Sequence, residues 1–486
     1  MLFNSYIFVL LFLPLCLTGW FGLNRLGKYK WSQAFLLGMS LWFYGYFHPG
    51  YLVIILGSIV LNYGLYRLFI LVRHGKKRKL LLLLGLGANL GILFYYKYMN
   101  FFLGELGALM GKQWSLRTVV LPLGISFFTF QQLSFLVDAY RGEAENYGFL
   151  EYACFVAYFP QLIAGPIVTH DELIPQFRNP EKRKWDWDNM ARGLYLFSLG
   201  MGKKVLLADL FGTAADAGFL AADGLDSTGA LITMLAYTLQ IYLDFSGYCD
   251  MALGLGKMMN IDLPGNFDSP YKALDIRDFW NRWHKTLTRF LTKYVYIPLG
   301  GSRKGTLRTY CNVLLVFLVS GIWHGAGNTF LIWGLLHGLA SVAVRFCQSR
   351  WHTERLPKLL RWALTFAFLN GTWVFFRAGS VSEARTLLNH LVQGNFGPPP
   401  DGLLAGFSLV EINAFCDLFR YSRPGIWPVT LGFFGLTLFS VAVLPNTREM
   451  TEQFRPTFGR LLFSAVVLVW SLFSLSGVSS FLYFNF

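Results

Sequence analysis

Stretches without a single charged side chain recur along the whole chain, and the charged clusters fall between them. No Asp, Glu, Lys or Arg occurs before Arg25, from Trp31 to Tyr66, from Leu80 to Tyr96, from Thr118 to Val137, or from Tyr152 to His170. The same holds from Ser227 to Leu243, Thr309 to Val344, Trp362 to Phe376, Pro424 to Thr447 and Leu461 to Phe486. A helix needs about 20 apolar residues to cross the hydrocarbon of a bilayer, so the runs predict a helical chain that crosses repeatedly. Spans are expected near residues 3–23, 31–47, 51–70, 80–102, 150–168, 191–212, 228–250, 309–323, 328–344, 359–377, 425–444 and 461–482. The two longest internal runs divide at His48-Pro49-Gly50 and Gly325-Ala326-Gly327, where proline and glycine interrupt the pattern. Residues 118–139 read as a re-entrant or interfacial segment. Lys203 and Lys204 inside the span 191–212 call for a cavity, a partner or a shallow position.

Composition agrees and excludes an ordinary soluble enzyme. The chain is 54% hydrophobic and 14% charged, with a mean hydropathy of +0.44, where a soluble chain carries roughly 25% charge. The expectation is therefore an all-α polytopic membrane protein, one integral domain over residues 1–486. The net charge of +15 would hint at nucleic acid on a soluble chain; here its distribution points to the membrane surface. Loops 24–30, 71–79, 169–190, 251–308, 345–358 and 445–460 together hold 29 Lys or Arg, and the loops on the other side hold 6. That bias places the first set in the cytoplasm and both termini outside. The N-terminal run precedes its first cationic cluster (Arg25, Lys28, Lys30), so it reads as a span and not as a cleavable signal. The six cysteines are scattered without a CxxC, which suggests neither a disulfide framework nor a metal site.

Soluble-enzyme signatures such as GxxxxGK[ST], HExxH or GxSxG are missing from the sequence, so chemistry is sought in polar groups at membrane depth. The loop 257–308 contains RDFWNRWHKTLTRFLTKYVYIPLGG. There Phe279, Trp283, Leu287, Phe290, Leu291 and Tyr294 recur at spacings of three and four, with Arg277, Arg282, Lys285, Arg289 and Lys293 between them. This predicts an amphipathic helix lying at the inner interface, its basic flank toward anionic headgroups or an anionic cofactor; a plain surface anchor would show the same pattern. His284 sits on the border of the apolar face and can turn inward. His324 lies in the middle of a 36-residue uncharged stretch, within GIWHGAG. A buried imidazole there is a general-base candidate, or else a helix-to-helix hydrogen bond. His337, 13 residues on, falls about 220° around a continuous helix and makes no metal pair with it. Asp244 and Asp250, at the inner end of a span, read as structural pairing partners more readily than as a site.

Five ordered motifs carry a resemblance. LPLGISFFTFQQLSFLVDAYRG (121–142), YFPQLIAGPI (158–167), DFSGYCDMALG (244–254), RDFWNRWHKTLTRFLTKYVYIPLGG and SGIWHGAGNTFLIWGLLHG are similar to the membrane-bound O-acyltransferase (MBOAT) family. Within it the chain most resembles the bacterial membrane subunits that O-acetylate alginate and other exopolysaccharides. The likeness runs over a core at about 80–345, with FFRA (375–378) and the final FLYFNF also in character and residues 346–486 as additional C-terminal transmembrane helices. It implies a bundle of about 11 to 12 transmembrane helices with re-entrant and interfacial helices. It implies also that acyl-CoA, acetyl-CoA in this branch, donates at the cytoplasmic side as a substrate, with no resident cofactor or metal. The acyl group would pass to an acceptor on the far side, with a periplasmic serine-type acetyltransferase and an exopolysaccharide as partners, in a bacterial inner membrane. The resemblance marks His324 as the catalytic histidine and His284 as its polar partner; Arg282, Lys285, Arg289 and Lys293 are expected to meet the polyanionic donor. D-alanyl transfer to teichoic acid is the rival within the family. A transporter or polysaccharide-export component is the rival from another class, though the weak two-fold repeat such a protein tends to carry is missing. His352, in a basic inner loop, is expected to be dispensable.

The topology is directly testable. In a background without the six natural cysteines, Lys76→Cys and Gly224→Cys are expected to react with a membrane-impermeant maleimide from opposite sides. Labelling of position 76 in cells whose outer barrier alone is permeabilised would overturn the orientation.

Overall fold

The computed structural model describes residues 1–72, 75–112, 114, 120–351, 353–475 and 481–482. The helices used below are, in chain order, α1 (Phe8–Arg25), α2 (Tyr29–Gly45), α3 (Gly50–Leu71), α4 (Lys76–Met110), α5 (Ile125–Arg141), α6 (Trp187–Met201) and α7 (Ser227–Met258). They continue with α8 (Ile276–Arg282), α9 (Lys285–Leu291), α10 (Thr306–His324), α11 (Asn328–Trp351), α12 (Lys358–Arg377), α13 (Ile426–Val443) and α14 (Phe458–Phe473). Among the described residues there is no strand, and seven helices (α1, α3, α4, α10, α11, α12 and α13) are long and apolar enough to cross a membrane. The chain is an all-α, multi-pass membrane protein. His352, 118–119, 476–480 and the last four residues of FLYFNF lie outside the described residues.

Contacts gather the chain into two compact units. Residues 1–201, 248–265 and 454–486 form the first, and residues 202–247 and 266–453 form the second. In the first unit, α3, α4 and α5 are tied by polar groups that lipid cannot satisfy. Asn62 and Asn89 exchange amide hydrogen bonds (3.0 and 2.7 Å). Gln132 Nε2 donates to Ser58 Oγ (3.0 Å) and Gln132 Oε1 accepts from Tyr152 OH. Arg78, in the first turn of α4, reaches two helix ends with one guanidinium. Its Nη1 donates to Phe69 O (3.2 Å) and Val72 O (3.3 Å) at the end of α3, and its Nη2 donates to Ala139 O (2.9 Å) and Tyr140 O (3.0 Å) at the end of α5. The last carbonyls of a helix have no partner within it, and a planar fork of donors serves two such ends at once.

In the second unit the buried Lys204, within a π-helical stretch (Gly202–Ala208), lies between Asp209 (2.7 Å) and Asp244 (2.6 Å). Of the alternatives open for the two lysines, a partner is what Lys204 has; Lys203 Nζ donates to Thr447 Oγ1 (3.4 Å). Asp244 is paired, as expected, here with Lys204. Asp275 caps α8, accepting from Arg277 N (3.0 Å) and Asp278 N (2.9 Å). Its second oxygen takes Gln348 of α11 (3.1 Å) and Arg361 of α12 (3.4 Å). This one carboxylate fixes where α8 starts against both long helices.

Several expected elements differ. The span 150–168 is not one helix: Phe149–Ala157 ends at Tyr158, a short turn follows at Phe159–Leu162, and the next helix starts at His170. Residues 152–168 are all buried, and a core segment is as free of charge as a lipid-facing one. The segment placed at 118–139 as re-entrant or interfacial contains α5, most of which is interior. The amphipathic helix expected across 277–294 is broken: α8 and α9 are separate, and their apolar residues Phe279, Trp283, Leu287, Phe290 and Leu291 are buried in protein. The last helix stops at Phe473, short of the expected 482.

Arg78→Ala is expected to remove a charged donor from four carbonyls, of which Ala139 O keeps Gly142 N–H (3.1 Å). At on the order of 1–3 kcal/mol per charge-assisted bond lost, the detergent-solubilised protein should melt several degrees lower than wild type. Arg67→Ala, at an exposed position of α3, should melt unchanged. Equal melting temperatures for the two variants would contradict the bridging role.

Candidate active site

The site begins with two glycines. α10 and α11 are antiparallel neighbours joined by Gly325-Ala326-Gly327, and they approach through backbone. A Cβ at Gly321 would fall 2.4 Å from Phe330 O, and one at Gly334 would fall 2.5 Å from Phe317 O. Only glycine permits that approach. The turn expected at 325–327 is present, and it leaves His324 as the last residue of α10. His324 is buried, 3% exposed. Its imidazole lies among Trp323 (4.8 Å between ring centroids), Phe376 (5.0 Å) and Trp333 (5.2 Å).

The second histidine arrives from the broken amphipathic segment. Trp283 is extended, and His284 has φ 44°, ψ 52°, in the left-handed region that a side chain with a Cβ seldom adopts. The neighbouring strand-like stretch holds this kink: Asp268 N donates to Arg282 O (2.9 Å) and Lys285 N donates to Asn266 O (3.0 Å). The kink turns His284 inward, as its border position allowed, to complete burial. There it packs on Phe245 (4.9 Å), Trp323 (6.0 Å) and His324 (6.5 Å). Two histidines 40 residues apart in the chain are thus brought ring to ring in an aromatic surround. Burial pushes His284 down from 6.5 to about 3, because a charged imidazole is disfavoured away from water. It is neutral at pH 7, with a lone pair on one ring nitrogen.

His337 does what a helix-to-helix histidine does. Its Nδ1 accepts from Trp280 Nε1 (3.2 Å), which places its proton on Nε2 and orients the Trp280 indole. That indole matters because its other side lines a groove of about 350 Å³ with Asn281, Lys285, Thr288, Arg289, Thr292, Lys293 and Ile297. Lys285, Arg289 and Lys293 stand four apart, so one helical face supplies all three cations. Arg282, expected with them, is not in the lining. Its Nε pairs with Asp278 (2.7 Å) and its Nη1 donates to Asp268 O (3.2 Å), because the kink at 283–284 turns α8 away from the face of α9. Behind the groove, Trp280 packs on Trp333 (5.8 Å), whose ring touches His324. Two indoles therefore separate the cationic groove from the histidine pair.

Sequence reading missed Trp280, Trp333 and Asn266. Trp333 and His337 share a face of α11 at i, i+4, a spacing that was visible. Asn266 sits in an irregular stretch with no periodic signal.

The model of the membrane-bound O-acyltransferase family matches residues 79–378, which include both histidines, the groove and the α10–α11 turn. A peptidoglycan O-acetyltransferase of Helicobacter pylori is 44% identical over 421 residues, 81% of this chain and 80% of that protein. A probable alginate O-acetylase, AlgI, of Pseudomonas putida is 36% identical over 504 aligned residues, 100% of both. A teichoic acid D-alanyltransferase of Bacillus subtilis is 26% identical over 266 residues, 51% of this chain and 66% of that protein.

Proposed function

This chain belongs to the membrane-bound O-acyltransferase family and is an O-acyltransferase, and from that premise we propose that it carries an acetyl group from cytoplasmic acetyl-CoA across the bacterial inner membrane for O-acetylation of an exopolysaccharide such as alginate. The observation that carries the reading is the buried His284–His324 pair, 6.5 Å between rings, two indoles away from a groove with three cations. In the proposed step the acceptor hydroxyl oxygen attacks the thioester carbonyl. A C–O bond forms, the C–S bond breaks, His324 takes the hydroxyl proton and returns it to the leaving thiolate, and CoA departs as the thiol. His284 orients or polarises. The dry aromatic surround limits hydrolysis of the thioester.

Lys285, Arg289 and Lys293 suit the phosphates of the donor, and membrane headgroups share that chemistry. Arg282 supports the fold of α8 in this reading. The acetyl group is relayed to a periplasmic serine-type acetyltransferase, and both termini are periplasmic. The names of the peptidoglycan and alginate relatives support a glycan acceptor. The D-alanyl reading has similarity over only half of the chain behind it.

In a complemented deletion strain, His324→Ala is expected to lower polymer acetyl content about 100-fold or more, the range for a lost general base, with normal amounts of protein in the membrane. His284→Ala should be equally or less impaired. Wild-type acetylation with His324→Ala would sink the catalytic role, and loss of polymer export in place of acetylation would favour the transporter. Lys285→Glu with Arg289→Glu should raise the KM for acetyl-CoA about tenfold or more, at about 1 kcal/mol per basic residue. Arg282→Gln should lower stability and leave that KM unchanged. A raised KM in Arg282→Gln alone would reverse the assignment.

A further inference from the structure

Asn266 stands 18 residues before His284 in the chain and is 1% exposed. Three donors converge on its Oδ1: Thr286 N (3.2 Å), Thr286 Oγ1 (2.9 Å) and the Nδ1 of His284 (3.1 Å). A backbone N–H can only donate, so the side-chain atom facing Thr286 is the amide oxygen and not the nitrogen. An amide oxygen can only accept, so His284 Nδ1 carries the hydrogen. The neutral imidazole then has its lone pair on Nε2. The same asparagine holds the backbone, since its carbonyl accepts from Lys285 N, and it grips the two residues that follow the left-handed His284.

We propose that Asn266 is a positioning residue for acyl transfer, which fixes His284 as the Nδ1–H tautomer so that Nε2 is its basic nitrogen. The inference rests on the reading of His284 and His324 as the reacting pair. It adds a polar group that neither the histidine motifs nor helical spacing marks. Around the imidazole stand Phe245 of α7, Trp323 and His324 of α10, and Asn266. His324 is the titratable group among these contacts, and Lys285 follows in the chain. Asp244, next to Phe245, is engaged by Lys204.

Asn266→Asp keeps an acceptor at Nδ1 and adds a negative charge, which favours the imidazolium. The acid limb of the kcat/KM profile is expected to move up by about one pH unit, with at least a third of wild-type activity retained on the alkaline plateau. Asn266→Ala, which removes the acceptor, should lose about tenfold or more at every pH. An Asn266→Asp enzyme that is folded with an unmoved acid limb would overturn the proposal, as would an Asn266→Ala enzyme of wild-type rate. The wild-type protein provides a readout that needs no variant at Asn266. Nitrogen-15 histidine spectra, assigned by difference with His284→Gln, are expected to show Nδ1 protonated and Nε2 bare, and the reverse tautomer would overturn it. The two readings fail separately: full activity in His284→Ala and His324→Ala defeats the reacting pair, whereas inactive histidine variants with an unshifted Asn266→Asp profile defeat Asn266 alone.

Discussion

Hydrocarbon offers no hydrogen bonds, and most of the polar arrangement of this protein answers that condition. Lys204 is tolerable in the second unit because Asp209 and Asp244 flank it; removal of either partner from such a buried set typically costs several kcal/mol. Asn62 and Asn89 use each other as solvent. Arg78 spreads its guanidinium over four helix-end carbonyls. His284 and the nearby His337 follow the same rule, with Asn266 on the first and Trp280 on the second. A buried polar network is stable when its members are satisfied, and a satisfied network also fixes proton positions.

The fold class and the burial of His324 were legible because each depends on patterns that a bilayer imposes. Long uncharged runs mark α1, α3, α10, α11, α12 and α13, and the Gly325-Ala326-Gly327 break marks the turn that ends α10 at His324. What failed at 150–168 was the inference from apolarity to spanning, because burial in protein and exposure to lipid select the same residue types. The broken helix at 283–284 was hidden for a different reason. Helical periodicity continues across the kink, since Trp283 and Leu287 are both buried on either side of it, and the positive φ at His284 is imposed by tertiary bonds to Asn266 that no local pattern announces.

That kink decides which basic residues are useful. Periodicity groups Arg282 with Lys285, Arg289 and Lys293; the turn at His284 assigns the first to Asp278 and the other three to the groove. The same turn brings the imidazole inside. A straight helix would have left His284 on the flank with the cations, far from an environment that keeps it neutral. Charge outside and a neutral imidazole inside are therefore products of a single backbone conformation, within nine residues of sequence.

The contact between α10 and α11 has a mechanical side. At Gly321 and Gly334 backbone meets backbone, with no layer of side chains whose rotamers could shift to let the helices slide. The pair is a rigid strut with His324 mounted at its tip. A change in the spacing of α10 and α11 would have to part the backbones themselves, so the two helices and the imidazole at their turn hold their places together.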